Sequence, residues 1–263
     1  VSGDGSLAAP FDTISEALDA ANAGDVIVIG PGTYAEQVWP TKNITLWGAC
    51  EEKVTIQAAG EYEDVTVPVV KVTRRVELRN LRISGDRPGA LVYDKTGLLL
   101  LRGVAIDRVR AIGLFVASRY SPGRAELENS VIFGVRSDPN QQGGQGFLVG
   151  MGASLTASRV LVERNRAVGI SVNSEKTQMD LNDVVIRNTQ ALESDHTMGF
   201  GISVDTGAQF TASRALVVQN RSFGIASTNA GSSLTLTDTV VRDTKGQESD
   251  GSFGEGIQLV DGA

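Results

Sequence analysis

Reactive residue types are scarce in this sequence. Its 263 residues include one cysteine, Cys50, and one histidine, His196. A single cysteine excludes a disulfide within the chain and a cysteine-rich zinc site, so we expect Cys50 to be a small core or turn residue. Aromatic residues make up only 5% of the chain, which argues against a sugar cleft rich in tyrosine and tryptophan.

Positive charge and long apolar segments are scarce as well. The chain has 24 lysine and arginine residues against 31 aspartate and glutamate residues, a formal net charge of −7. Because nucleic acids and acidic membrane surfaces require a basic face, neither is an expected partner. No apolar run approaches the ~20 residues of a membrane span. The first residues, VSGDGS, contain no methionine or signal segment, which indicates a processed or cut product.

Glycine, by contrast, is abundant and regularly spaced. Seven segments begin with glycine followed by a short, mostly apolar stretch, and successive glycines are separated by 24, 33, 23, 32, 23 and 32 residues. The alternation of short and long spacings defines a repeat of 55 residues that contains two turns of the chain. The seven positions are Gly89, Gly113, Gly146, Gly169, Gly201, Gly224 and Gly256.

Within each turn, apolar and polar residues alternate. Ile170 and Val172 share one face of a short segment, and Leu234 and Leu236 do so in a later turn. This pattern predicts three short strands per turn, separated by glycine, asparagine and aspartate. A turn of 23 residues is too short for a βαβ unit. We therefore predict a parallel β-helix whose coils stack about 4.8 Å apart.

The N-terminal segment has a helical pattern instead. Residues 12–23 are predicted to form an amphipathic helix in which Thr13 and Glu16 make a capping box. Such a helix would cover the open end of the solenoid core. The sequence stops in the first strand of a new coil, so we expect further coils in the native protein. We divide the single predicted domain, 1–263, into a cap (1–25), first coils (26–88) and two-coil repeats (89–263).

The segment GSLAAPFDTISEALDAANAGDVIVIGPGTYAEQV, followed by ITLWGA, resembles the cap and first coil of the pectin-lyase-like right-handed parallel β-helix superfamily. The glycine-initiated turns resemble repeats of its bacterial secreted and surface members. The resemblance implies an all-β, single-stranded right-handed parallel β-helix with an N-terminal α-helical cap, located outside or on the surface of a bacterial cell. It identifies no activity, because that superfamily includes lyases, esterases, hydrolases, epimerases and members with no known activity.

The catalytic motifs of the enzymatic branches are missing. The sequence contains no QD pair of the esterase type, and neither the NTD, the DD nor the GHG of the hydrolase type. Its aspartates are not grouped in sequence as the calcium-binding aspartates of pectate-lyase-like enzymes are. We therefore assign no catalytic residue.

One stretch, LESDHTMGFG, nevertheless combines carboxylates, a serine and the only histidine. Its ESD recurs 55 residues later in QESDGSFG, where glycine replaces His196. Because the acidic motif follows the repeat and the histidine does not, we expect His196 to be an incidental surface residue.

Acidic, glycine-rich loops recur at every second turn. They cover residues 137–145, 190–200 and 245–255, and they should stack along one edge about 10 Å apart, two strand spacings. They either form a ridge that binds calcium or another ligand through oxygen atoms, or are solvated loops without a ligand. No metal ligand set is assigned, and Ca²⁺ is the only cofactor considered. The ligand or cation candidates are Glu193, Asp195, Glu248, Asp250 and Asp138.

Two polar ladders are predicted at the turns that flank the third strand. The first alternates in charge from coil to coil, which favours the stacking of unlike neighbours; the second consists of residues that suit tight turns. Exposed threonines such as Thr156 and Thr211 are interpreted as strand formers. The first ladder is Asn129, Arg159, Asp183, Arg214 and Asp238, and the second is Asp86, Asn165, Asn188, Asn220 and Asp243.

The sequence favours a non-catalytic secreted or cell-surface β-helix that acts as a rigid scaffold or binds a polysaccharide or cell-surface component. We expect the protein to be a monomer. One alternative is a polysaccharide lyase or glycoside hydrolase that uses carboxylates of the 190–200 and 245–255 loops, because such enzymes hold two carboxyl groups roughly 5–10 Å apart. The other is a module that only spaces further domains.

Overall fold

The chain winds into successive coils whose strands pair in parallel with the strands of the coils before and after them. The computed structural model describes residues 3–58, 60, 62–93, 96–117 and 123–260. Three strand positions recur along the coils, and their strands form one eight-stranded and one fifteen-stranded sheet. The predicted parallel β-helix is therefore confirmed.

The strands are numbered along the chain and grouped by their position in the coil. The eight-stranded sheet holds the first position: β5 (Val70–Val72), β8 (Ala90–Val92), β11 (Ile112–Val116), β14 (Gln145–Val149), β16 (Val168–Asn173), β18 (Phe200–Asp205), β20 (Phe223–Thr228) and β23 (Glu255–Leu259). The second position holds β1 (Val26–Ile29), β3 (Ile44–Gly48), β6 (Arg75–Arg79), β9 (Leu98–Arg102), β12 (Arg124–Glu128), β21 (Ser233–Thr237) and the first halves of β15 (Ser154–Glu163), β17 (Gln178–Arg187) and β19 (Gln209–Val218). The third position holds β2 (Gly32–Tyr34), β4 (Val54–Gln57), β7 (Arg82–Ser84), β10 (Ala105–Asp107), β13 (Val131–Phe133), β22 (Val240–Arg242) and the second halves of β15, β17 and β19.

Three coils differ from the predicted pattern because their second and third strands are continuous. β15, β17 and β19 each run for ten residues. Arg159, Asp183 and Arg214 lie at the bend with φ of 53°, 55° and 49°. One left-handed residue turns the chain sharply, while parallel pairing continues on both sides of it. Two predicted strands therefore join into one bent strand.

The N-terminal helix α1 (Ile14–Ala20) is shorter than predicted but has the expected cap. The Thr13 hydroxyl accepts a hydrogen bond from the Glu16 amide at 3.1 Å, and the Glu16 carboxylate accepts one from the Thr13 amide at 3.2 Å. The helix begins after Thr13 and ends before Ala21 because both flanking residues are extended. Ile14 is buried against the solenoid core, so α1 covers the core at this end.

The first coil also binds both ends of α1. Glu36 accepts hydrogen bonds from the amides of Ile14 and Ser15 at 2.7 and 2.8 Å. The Lys42 ammonium donates to the carbonyls of Asp19 and Ala21 at 3.1 and 2.7 Å. Because free amides at a helix start favour an anion and free carbonyls at its end favour a cation, these two side chains dock the cap on the coils.

The repeated glycines form a column along the first strand position, and stacking is closest there. A Cβ built on Gly169 would lie 2.7 Å from the carbonyl oxygen of Gly201, the next glycine of the column. The same contact recurs from Gly89 to Gly224, at 2.3 to 2.7 Å. None of these glycines has a positive φ, so the constraint is the approach of the neighbouring coil and not backbone conformation. Any side chain here would force two coils apart.

The second predicted ladder is wrong as a single column. Strand pairing aligns Glu163 with Arg187, and Arg187 with Val218. Asn188 therefore stacks beside Arg164 and Gln219, one position before the column that contains Asn165 and Asn220. Asn188 and Asp243 have left-handed φ values of 56°, whereas Asn165 and Asn220 are fully buried. Asp86 shares the column of Asn165 and Asn220, but its side chain is half exposed.

The error arises because tight turns place asparagine in two different roles. Asn188 has the backbone conformation that asparagine tolerates. Asn220 instead uses its side chain: Oδ1 accepts from the amide and hydroxyl of Thr189 at 3.1 and 2.8 Å, and Nδ2 donates to the Ile186 carbonyl at 3.2 Å. Asn165 accepts from the Val135 amide at 2.9 Å in the same way. These two asparagines therefore bond the coil that precedes them.

Replacing Gly169 with alanine should destabilise the protein by about 1–3 kcal/mol, the usual cost of overpacking. Gly256→Ala is the matched control, since its Cβ would meet nothing nearer than 3.8 Å. Urea unfolding of both variants tests this constraint. Equal midpoints for the two variants would contradict it.

Asn220→Ala should cost about 1–3 kcal/mol, because it leaves the buried Thr189 amide without its acceptor. Asn188→Gly should be nearly neutral, because glycine adopts a left-handed φ freely. Denaturant midpoints of the two variants measure the difference. A larger loss for Asn188→Gly would contradict the different roles assigned to the two asparagines.

Candidate functional site

The three predicted loops lie in one row, between the third strand of a coil and the first strand of the next. Each loop ends with two amides that donate to one carbonyl of the preceding coil. Gly144 and Gln145 bond Ala111, Gly199 and Phe200 bond Ala167, and Gly254 and Glu255 bond Ser222, all at 2.7 to 3.1 Å. We call this row of loops, residues 137–145, 190–200 and 245–255, the loop ridge.

The aspartates of the loop ridge bind the backbone of their own loops. Oδ1 of Asp195 accepts from the amide and hydroxyl of Thr197 at 2.9 and 2.7 Å. Asp250 makes the same two bonds with Ser252 at 2.9 and 2.6 Å. Asp138 accepts from the amides two and four residues later, at 2.8 and 2.9 Å. These three candidate ligands therefore shape the loops.

The glutamates of the loop ridge are paired with arginines of the preceding coil. Glu193 lies 3.2 Å from Arg166, and Glu248 lies 3.7 Å from Arg221. The same arginines also donate to loop carbonyls: Arg166 to Ala191 at 3.2 Å and Arg221 to Gly246 at 3.3 Å. The sequence carried this signal, because the two arginines lie 55 residues apart, as the two glutamates do.

The first loop is also bound by an arginine of the preceding coil, but this arginine pairs with an aspartate outside the loop. Arg110 donates to the Ser137 carbonyl at 3.1 Å and pairs with Asp86 at 3.1 Å. Arg136 reaches Asp86 as well, at 2.9 Å. Asp86 is thus an ion-pair partner of two arginines.

The loops contact one another, and His196 takes part in these contacts. Gln142 donates to the Ser194 hydroxyl at 3.1 Å, which joins the first loop to the second. The His196 carbonyl accepts from the Ser249 amide at 2.9 Å, and its Nδ1 lies 4.0 Å from Glu248. His196 has a φ of 58°, and Gly251, its repeat equivalent, has a φ of 72°. The backbone of His196 therefore links the second and third loops, while its side chain lies exposed at the surface, as expected.

An aromatic contact strengthens the connection between the second and third loops. The ring of Phe223 lies 5.2 Å from that of Phe200 and 5.0 Å from that of Phe253, between centroids. Edge-on ring pairs at such distances are favourable. Within the described residues, no group of three or more His, Cys, Asp or Glu side chains is placed to hold a metal ion.

In the first predicted ladder, two arginines each form hydrogen bonds with residues of the preceding coil. Arg214 donates to both carboxylate oxygens of Asp183, at 2.6 and 2.9 Å. Arg159 donates to Asn129 at 2.7 Å and to Glu128. The hydrogen bond from Arg214 holds the pKa of Asp183 below its usual value. Asp238 has no hydrogen bond or ion pair within the described residues.

A groove on the outer face of the second strand position was missed by the sequence analysis. It runs across five coils, from β9 to β19, with a volume of about 520 Å³. Its floor consists of side chains that point outward from strands in register, so neighbouring groups recur about 4.8 Å apart. The alternation of apolar and polar residues along a strand separates inward from outward side chains. It cannot show which outer face of the β-helix is concave. The groove is lined by Leu101, Arg102, Glu126, Leu127, Glu128, Thr156, Ala157, Ser158, Arg159, Asp180, Leu181, Asn182, Thr211 and Ser213.

Ion pairs already occupy both arginines that line the groove. Arg102 donates to Glu77 at 3.1 Å and to Glu128, and Arg159 donates to Glu128 from the next coil. Glu77 is 4% exposed. Burial alone would raise its pKa, but hydrogen bonds and charge from Arg79 and Arg102 outweigh burial and lower it.

The glycine-spaced coils match known β-helix proteins. The family model described as "Right handed beta helix region" matches residues 69–241. No curated protein sequence matches this chain. Similar solved structures include pectate lyase Pel9A, with a TM-score of 0.55 and 15% identity over 94% of this chain and 77% of that one. Pectin methylesterase PemA from Erwinia chrysanthemi has a TM-score of 0.54 and 15% identity over 87% and 79%. At this identity the likeness shows the fold alone.

No helix in the described part of the chain has the length and apolar character needed to cross a bilayer.

Acid should loosen the second and third loops. Hydrogen bonds from Thr197 and Ser252 hold the pKa of Asp195 and Asp250 below 3.8, and the bond from the hydroxyl has a larger effect than the bond from the amide. A lowered folded-state pKa stabilises the loops above the unfolded pKa, and that stabilisation is lost as pH falls through the folded pKa. We expect the Thr197 and Ser252 amides to lose protection from hydrogen exchange, corrected for intrinsic rates, below about pH 4.

Asp195→Asn provides the control, because asparagine keeps an acceptor oxygen but does not titrate. In that variant Thr197 protection should be independent of pH, while Ser252 protection still falls. Unchanged protection of both amides in the wild type would contradict a structural role for these carboxylates.

Proposed function

The chain belongs to the family of right-handed β-helix regions, and we propose that it is a non-catalytic secreted or cell-surface β-helix of a bacterium. In this proposal its outer groove binds a glycan chain, and the stacked coils hold that groove rigid. A groove across five coils spans about 19 Å, four strand spacings, which suits an extended oligosaccharide.

The lining of the groove is the observation that carries the proposal. Thr156, Ser158 and Thr211 offer hydroxyl groups on strands in register. Asn182 accepts from Ser213 at 2.9 Å and from Arg214, so this pair offers the Asn182 amide nitrogen and the Ser213 hydroxyl oxygen. Sugar hydroxyls need donors and acceptors in a fixed pattern, and hydroxyl and amide side chains supply both. Similar folds that bear the names pectate lyase and pectin methylesterase support a polysaccharide as the ligand class, and hence a location outside the cell.

The loop ridge supports a non-catalytic role. All five candidate carboxylates there have a structural partner, either an arginine of the preceding coil or the backbone of their own loop. A lyase or hydrolase that used these carboxylates would have to break those contacts. Ca²⁺ is the one cofactor considered for the loop ridge, and it is included in the binding test.

Thr156→Arg should fill the groove and weaken glycan binding about tenfold or more. Thr235→Arg is the matched control, because Thr235 is exposed in the same column but does not line the groove. Binding of a polysaccharide panel is measured by calorimetry, with Ca²⁺ and with chelator.

The same samples are assayed for new reducing ends and unsaturated products. Product release by the wild type would overturn the non-catalytic assignment. Absence of binding across the panel would leave a module that only spaces other domains, and equal binding by both variants would show that the glycan binds outside the groove and would overturn the proposed site.

A further inference from the structure

The groove contains two carboxylates that have no ion-pair partner among the described residues. Glu126 and Asp180 are exposed on its floor and take part in no hydrogen bond or ion pair within the described residues. Other acidic residues of the same face differ: Glu77, Glu128 and Asp183 are each bound by at least one arginine. The groove therefore has unbalanced negative charge.

Strand register places these two carboxylates around a hydroxyl. Glu126 pairs with Thr156, and Thr156 pairs with Asp180. Their Cα atoms are thus about 9.6 Å apart, two strand spacings, with Thr156 midway. A glutamate and an aspartate side chain can both lean toward that midpoint. A ligand above Thr156 meets three acceptor groups, two carboxylates and a hydroxyl.

The positive charges of the groove are already balanced by carboxylates of the protein, so an acidic sugar gains little attraction from them. Arg102 forms ion pairs with both Glu77 and Glu128. Arg159 forms an ion pair with Glu128 and a hydrogen bond with Asn129. These are the two cationic side chains that line the groove in the described residues. A uronate carboxylate would be repelled by Glu126 and Asp180, and the chain's net charge of −7 would repel a polyanion further.

Resting on the proposed glycan-binding role, we propose that this groove selects a glycan with free amino groups, a polymer of hexosamine units in the ammonium form. An ammonium group has three donors and no acceptor, which matches the Glu126, Thr156 and Asp180 oxygens. Two carboxylates and a hydroxyl fall short of the six to eight oxygen ligands that Ca²⁺ takes, so a metal ion fits the same place less well.

The test compares glucosamine hexamer, N-acetylglucosamine hexamer and galacturonate hexamer by calorimetry at low and high salt. The wild type should bind the glucosamine hexamer about tenfold or more tightly than its acetylated form, bind the galacturonate hexamer weakest, and lose the preference at high salt. Glu126→Gln with Asp180→Asn should make the first two ligands equal. Both substitutions keep side-chain size on an exposed face, so the fold is retained.

Glu175→Gln with Asp238→Asn is the control, because it removes the same charge outside the groove and should keep the preference. Equal binding of all three hexamers, or tightest binding of galacturonate, would overturn the amino-sugar assignment and leave glycan binding intact. Failure of all three to bind, together with failure of the polysaccharide panel, would overturn both. A lysine hexamer that binds as tightly as glucosamine would show a general cation site and also overturn the assignment.

Discussion

The distance between adjacent coils at the glycine column is the constraint on which the rest of this structure depends. A carbonyl oxygen of one coil lies only 2.3 to 2.7 Å from the place that a Cβ on the neighbouring coil would take, so only glycine allows the strands to pair there. Once the coils are held in register, every other position also stacks on its equivalent about 4.8 Å away. Each side chain then lies beside the side chain at the equivalent position of the next coil, as Thr156 lies between Glu126 and Asp180.

That stacking explains why the repeat contains two coils. Identical charges in one column would repel, whereas alternating partners attract. Arg166 and Arg221 lie on coils with short turns and bind glutamates and carbonyls of the long loops on the following coils. A coil that supplies an arginine and a coil that supplies a loop form one unit. The acidic loops that first suggest a functional site are therefore half of a structural contact.

The sequence contained enough to predict the architecture but not the corners of the coils. Spacing of glycine and alternation of apolar residues predict strands, and the Thr13 capping box predicts the helix, because these signals are local. The Asn165 and Asn188 columns were merged because a shift of one residue is invisible without strand register. The groove and the contact between His196 and Ser249 depend on how distant coils curve and meet, which no local pattern encodes. Glu126 and Asp180 were likewise missed, since nothing in the sequence distinguishes an unpaired carboxylate from one bound by arginine.

The central functional claim is that ligand binding takes place on the outer groove and not on the loop ridge. Hydrogen exchange with and without a saturating glucosamine hexamer tests it most directly. Slower exchange is predicted in the groove strands β12, β15 and β17, with the 137–145, 190–200 and 245–255 loops unchanged and the hexamer recovered intact. Protection confined to the loops, or a hexamer that is cleaved, would contradict the claim.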